Sequence, residues 1–312
     1  MKYLVALFFL MPLGQVIGQN APIKGDEVLF QKAVLIQELV EGELDLDYYL
    51  NDKNADTSAR TLAEHTKNAM LNKSVDLYYE LVEDYPNSPW LFYALNNIGY
   101  AELAMQQYDR AKEVFQRIIM GDTNNKNKNK KGANLDGANF KNRAAKELVK
   151  IGIEEGNFQE ALTYLKLSEQ FPYQHFCGNA FAEEDIYVSL LYAKCYMGLN
   201  QPDKAIEVLL PNLLENRLAD NSAAVHMVFD ILCASYEVDV LRELYKESFK
   251  NVKVKTKGVK GSEYEVDYIS FLAVDIDLLY SFSLYSSDRN DREQEINQIY
   301  IDSLFYKLLN QE

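Results

Sequence analysis

Apolar residues fall at helical spacing along most of this chain and switch to alternation only near residue 252. Leu29, Ala33, Ile36 and Val40 make one stripe, so residues 26–40 read as a helix with a single buried face. Acids then alternate with other residues over 41–47, and 51–58 reads as a polar linker. Helices dominate from about 59 to 120, broken by Pro86-Asn87-Ser88-Pro89-Trp90. There Ser88 can cap the following helix and Pro89 suits its first turn. The run Asn124-Asn125-Lys126-Asn127-Lys128-Asn129-Lys130-Lys131-Gly132 has no apolar residue and cannot bury itself. It predicts a basic, mobile insertion at 123–142. From Val252 the period is two. If Lys253 faces Asp267, then Lys255 faces Glu265 and Lys257 faces Glu263. The other face then pairs Val252 with Tyr268, Val254 with Val266 and Thr256 with Tyr264. This predicts a β-hairpin over 252–268, turned at Gly258 to Ser262, with Val252, Val254, Val266 and Tyr268 resting on helices. Residues 271–285 are strongly apolar and predict a buried helix, and 292–309 a last amphipathic one.

Among the predicted helices a single spelling recurs. Leu95-Asn96-Asn97-Ile98-Gly99-Tyr100 is followed by Tyr108-Asp109-Arg110-Ala111-Lys112-Glu113-Val114-Phe115. Small residues at Gly99 and Ala111 let two antiparallel helices approach, and Tyr108 and Phe115 fill the space beside them. Worn copies centre on Ala161, after Gly156-Asn157-Phe158, and on Ala205, which has Ala193 twelve residues before it. In the Ala161 copy Val149 stands where a small residue is expected. Ser74 marks an earlier copy, and the anchors Ser74, Ala111, Ala161 and Ala205 lie 37, 50 and 44 residues apart. The pattern resembles the tetratricopeptide repeat, whose helix pairs must stack to bury their apolar faces. The resemblance implies an all-α fold: an irregular α-solenoid of antiparallel pairs over 55–217, preceded by an N-terminal helix and linker at 19–54. A helical cap carrying the hairpin follows at 218–312. The hairpin then either shields the end of the stack or offers an edge for strand addition by a partner.

Such repeats are recognition scaffolds, and the first helix of each pair lines the groove. The resemblance therefore implies partner-binding residues at Tyr93, Asn96, Asn97 and Tyr100, with Tyr187 and Tyr192 on an equivalent helix. Tyrosine and asparagine suit extended backbone because they give hydrogen bonds and flat contact area. The run Tyr85-Pro86-Asn87-Ser88-Pro89, with Ala94, Gly99 and Ala111, also looks like repeat proteins of bacterial envelope assembly.

Targeting and charge narrow the setting. Lys2, the apolar stretch 3–13 and a small residue at Gly18 read as a signal peptide over 1–18, cleaved before Gln19. That stretch is too short for a comfortable membrane span, no later segment reads as transmembrane, and no cysteine precedes Cys177 to take a lipid. A periplasmic or secreted location follows as the expectation. The formal charge of −15 argues against nucleic acid and favours a neutral or cationic protein or peptide. Cys177, Cys195 and Cys233 are an odd set, compatible with one bridge, Cys177–Cys195 being nearest, or with three packed thiols.

Little catalytic chemistry is written in the chain. His65, His175 and His226 lack metal-ligand spacing, and the acids Asp45, Asp47, Asp52 and Asp56 lack the central glycine of a calcium loop. No metal, no cofactor and no enzyme activity is expected. Asp275 and Asp277, two acids in an apolar context, carry the alternative of a hydrolase-like enzyme on a helical scaffold. A glycan-binding surface protein is a further alternative.

Overall fold

The computed structural model describes residues 25–44, 46–52, 56–121, 136–171, 177–214, 218–278 and 289–311. These residues hold thirteen α-helices and one three-stranded antiparallel sheet. The expected signal peptide, the Asn/Lys-rich run and residues 279–285 lie outside them, whereas 136–142, expected as the end of the mobile insertion, form the start of a helix. Between Met105 and Gln106 the chain divides into two compact units.

The first unit is built from α1 (Gly25–Glu38), α2 (Leu46–Asn51), α3 (Thr57–Asp84) and α4 (Leu91–Ala104). Asp56 caps α3 by accepting from the Ser58 backbone N–H at 3.2 Å. Its core joins Leu29, Phe30 and Ala33 of α1 to Leu71, Val75, Tyr78 and Leu81 of α3 and to Ala94, Leu95 and Ile98 of α4. Ser74 is fully buried where α3 meets α1, and its hydroxyl donates to the Ala33 carbonyl at 2.9 Å. On α1 the buried stripe runs through Gln37 rather than Ile36.

The second unit holds α5 (Tyr108–Met120), α6 (Asp136–Glu154), α7 (Phe158–Ser168), α8 (Gly178–Gly198) and α9 (Pro202–Leu209). It continues with α10 (Ser222–Cys233), α11 (Val238–Lys250), α12 (Arg289–Asp302) and α13 (Leu304–Leu309). Helices neighbouring in sequence pack on each other from α5 through α10. A backbone signature marks the repeat. Gln106, Gly156 and Asn200 all take positive φ, at 60°, 75° and 56°. Each is followed two residues later by the first residue of a helix, and five residues later by Ala111, Ala161 or Ala205, all fully buried. Behind Gly156 the Asn157 N–H reaches the Gly152 carbonyl at 2.7 Å, and behind Asn200 the Gln201 N–H reaches Tyr196 at 2.8 Å. These are Schellman closures, which satisfy the last carbonyls of a helix while reversing the chain.

Two details of the repeat differ from the sequence reading. The tight approach to Ala161 comes from Gly152, where an added Cβ would lie 3.1 Å from the Ala161 Cβ and 3.4 Å from its Cα. Val149 is core beside it. Tyr108 is 44% exposed and does not fill an interhelical space. Its counterpart Phe158 lays its ring on Gly198, where an added Cβ would meet ring carbons at 2.3 Å. Gly198 stands seven residues before its anchor alanine. The same offset before Ala161 is Glu154, which offers no bare backbone to an aromatic ring. Beyond residue 217, α11 places Leu241, fully buried, three residues after its helix start, where the earlier helix pairs have alanine.

The hairpin is present but larger and in another register. Strands β1 (Lys253–Lys257), β2 (Tyr264–Phe271) and β3 (Val274–Asp277) form a sheet in that order. Lys253 pairs with Tyr268, Lys255 with Val266 and Lys257 with Tyr264, one residue from the expected alignment. That slip exchanges the faces of β2. Ile269 and Phe271, joined by Ile276 of β3, enter a core with Tyr245 and Phe305, whereas Val266 and Tyr268 point outward. Counter-charge for the lysines comes from β3, since Lys255 reaches Asp277 at 2.8 Å and Lys257 also bonds it. Lys255 also lies over the Tyr268 ring, 4.6 Å from its centre.

The predicted buried helix from 271 is replaced by the turn Leu272-Ala273 and strand β3. Both turn residues take positive φ, 49° and 65°, as a two-residue hairpin turn of type I′ requires. Asn-Gly is the usual signal for this turn; Leu-Ala hides it. Ala273 is exposed, so its strain has no packing return. Ala273→Gly is expected to raise stability by about 0.5–1 kcal/mol, the relief of a left-handed alanine less the extra unfolded-state freedom of glycine. Urea unfolding of the two proteins measures it, and a lower midpoint for the variant would refute it.

Candidate functional site

Tyr93, Asn96, Asn97 and Tyr100 lie at i, i+3, i+4 and i+7 on α4, so a single helix face carries all four, each half-buried. The first unit already uses some of this face. Tyr93 packs edge-on to Phe30 of α1, ring centres 6.3 Å apart, and Phe30 stacks on Trp90 at 4.6 Å. Asn97 donates from Nδ2 to the Tyr78 hydroxyl at 2.8 Å, and that hydroxyl donates to Oε1 of Gln37 at 2.9 Å. Gln37 in turn donates to the Asn97 backbone carbonyl at 3.4 Å, closing a ring of three residues from α1, α3 and α4. Burial pushes the Tyr78 hydroxyl above the ordinary tyrosine range, so it stays protonated and able to donate. Asn97 is thus tied into its own unit. Asn96 and Tyr100 flank it, and Asn96 touches it at 3.5 Å.

Tyr187 and Tyr192 lie in the second unit on α8. Five residues at 100° each set them about 140° apart around the helix, so they do not share a line. Tyr187 packs on the core formed by Val149, Ala161, Leu162, Leu165, Leu191 and Cys195. Burial, then the charge of Glu147, raises its hydroxyl above the usual range. Tyr192 stacks on Tyr196 with ring centres 6.0 Å apart and gives its hydroxyl to Glu169. Burial first, then that acceptor, holds it protonated.

The sequence reading missed a charged cluster on α6. Lys146 and Glu147 are buried there, Lys146 pairs with Glu184 of α8, and Lys150 pairs with Glu147 at 2.6 Å. Neighbouring Asn142 donates to the Ser168 and Phe171 carbonyls at 3.2 and 2.9 Å and pins the end of α7. Buried lysine and glutamate side chains leave no mark in a hydrophobic pattern, which treats them as solvated. Gln37 escaped notice for the same reason.

The acids of the enzyme alternative are both engaged. Asp275 accepts from the Ser270 hydroxyl at 2.5 Å. Asp277 is partly buried, which raises its pKa, but the hydrogen bonds from Lys255 and Lys257 outweigh that and hold it below the usual carboxylate range. A carboxylate clamped between two ammonium groups is a poor proton carrier at neutral pH. All three cysteines are free thiols: Cys177 exposed, Cys195 buried, Cys233 between. Burial raises Cys195 to about 11, so it is a packed thiol rather than a nucleophile. His65 and His226 are exposed, and His175 lies outside the described residues. Among the described residues no helix is long and apolar enough to cross a membrane.

Residues 92–123, spanning α4 and α5, match the tetratricopeptide repeat family. That segment of the chain is a tetratricopeptide repeat. No curated protein matches the chain.

Proposed function

We propose that this protein is a non-catalytic scaffold that holds a protein or peptide on its helical repeats, exported from the cytoplasm and serving in the bacterial envelope. The repeat at 92–123 carries the reading, because tetratricopeptide modules are protein-interaction scaffolds. The recurrence of its backbone signature at Gly156 and Asn200 extends the same architecture through the second unit. Export is supported by the basic residue, short apolar core and small residue of the first eighteen positions. A formal charge of −15 suits a neutral or cationic partner.

Of the α4 residues, Asn96 and Tyr100 are the proposed contacts; Asn97 and Tyr93 hold their own unit together. The proposal also includes Tyr187 and Tyr192 as contacts within the second unit. The test is capture by cross-linking from envelope extract, comparing wild type with an Asn96→Ala, Tyr100→Ala double variant of unchanged melting temperature. Loss of the wild-type partners is expected. Equal recovery refutes the α4 surface, and a mature chain beginning at Met1 in the cytoplasmic fraction refutes the export reading.

A further inference from the structure

We propose that the outer edge of β1 is a docking site for an extended acidic peptide, which adds to the sheet as a fourth strand. This does not rest on the repeat surface and uses different residues. Three observations carry it. First, β1 is the terminal strand of its sheet, and among the described residues no backbone hydrogen bond reaches 253–257 from any strand but β2. A row of unpaired N–H and C=O groups is a template that only another extended backbone satisfies fully. That favours a polypeptide over a lipid surface or a polysaccharide.

Second, the edge is basic in an acidic protein. Lys253, Lys255, Lys257 and Lys260 occur with no acid between Val252 and Ser262. The register places Lys253, Lys255 and Lys257 on one face. Asp277 partly neutralises Lys255 and Lys257, while Lys253 and Lys260 have no carboxylate within ion-pair distance among the described residues. Third, apolar side chains remain uncovered beside the edge. Val254 is 48%, Tyr264 58% and Val259 74% exposed.

The lysines choose among strands that could add. A second copy of β1 would bring three lysines against three and be repelled. A strand with acids at alternate positions meets Lys253, Lys255 and Lys257 on one face. Small apolar or threonine residues at the intervening positions meet Val254 and Thr256 on the other. Lysine at an edge commonly prevents aggregation; here the same charge that excludes self-pairing selects the acidic partner.

The full chain is titrated with a fluorescent heptapeptide alternating glutamate and valine, followed by anisotropy. A peptide of equal charge with its central valine replaced by proline is the control, since proline cannot donate to a ladder. Saturable binding of the first peptide is expected, about tenfold weaker for the proline peptide and weaker again as salt rises from about 0.1 to 0.5 M. Lys253→Glu with Lys260→Glu, two exposed changes, should lower affinity about tenfold or more. Hydrogen exchange at the amides of 253–257 should slow on peptide addition in the wild type. Equal binding of the two peptides, equal or tighter binding of heparin, or unchanged exchange in β1 would each overturn strand addition. Full binding by the double variant would overturn the role of the lysines.

Discussion

Glu184→Gln is expected to lower the stability of the second unit by about 3 kcal/mol, the cost of removing one partner from a buried ion pair. Lys146 keeps 7% and Glu184 15% of side-chain exposure, so water cannot replace the lost carboxylate well. Burial, followed by the cations Arg143 and Lys150, pulls the Lys146 ammonium down to about 8 from its ordinary 10.5. Glu184 is the carboxylate that ion-pairs with this buried ammonium. The variant leaves that ammonium without its partner, which favours the neutral lysine at lower pH, so its deficit should depend on pH. Between about 8 and 10.5 the unfolded chain binds the lysine proton and the folded wild type does not, so raising pH favours both folds there. The variant, whose folded lysine loses its proton at lower pH, gains over a window that already opens below about 8. Denaturant midpoints at pH 7 and pH 9.5 should therefore converge towards the wild type at the higher pH. A Lys146→Met, Glu184→Leu double variant should regain most of the loss, since apolar groups of similar size carry no desolvation cost there. A deficit below about 1 kcal/mol at pH 7 would show that the pair contributes no more than an exposed one.

How much was readable in advance depended on which physical signal each element left in the sequence. The repeat phase was legible because close helix contact demands small residues, and Ala111, Ala161 and Ala205 are all fully buried in the structure. The left-handed residues Gln106, Gly156 and Asn200 keep the same 50- and 44-residue spacing, yet only Gly156 and Asn200 are residue types that announce such a turn. The alanine anchors end at Ala205; three residues into α11 the position holds Leu241, and no further copy is legible there. In the sheet, alternation revealed β1 and some of β2 but gave the wrong face. The charge match of lysines with Glu263, Glu265 and Asp267 leaves out β3, whose Asp277 supplies the counter-charge. Asp267 instead faces inward and is bound by Arg292, with Nε at 2.7 Å. The burial of Ile269, Phe271 and Ile276 outweighs surface charge pairs, each worth under about 1 kcal/mol. The α4 face follows from the repeat resemblance, which puts the first helix of each pair on the groove. Periodicity finds which residues share a line; it does not find α1, which arrives from sixty residues earlier and takes up Tyr93 and Asn97.

Tyr78→Phe is expected to cost the first unit about 2 kcal/mol, although it deletes one oxygen and leaves the packing of the ring intact. The tyrosine is fully buried, and its hydroxyl is both donor to Gln37 and acceptor from Asn97. Without it a buried Gln37 acceptor and the Asn97 amide each lose a partner, and an unmade buried hydrogen bond costs more than a made one contributes. Asn97→Ala should be costly for the same reason, and the two changes should be strongly non-additive. A double-mutant cycle in urea is expected to give a coupling of about 1 kcal/mol, because the second change removes a group the first has already orphaned. Additive losses would mean that the ring of Gln37, Tyr78 and Asn97 does not act as a unit. The cycle also decides how the α4 surface is to be probed. A binding defect in Asn97→Ala accompanied by this coupling reports a damaged fold. A defect in Asn96→Ala with Tyr100→Ala at unchanged stability reports the partner contact itself.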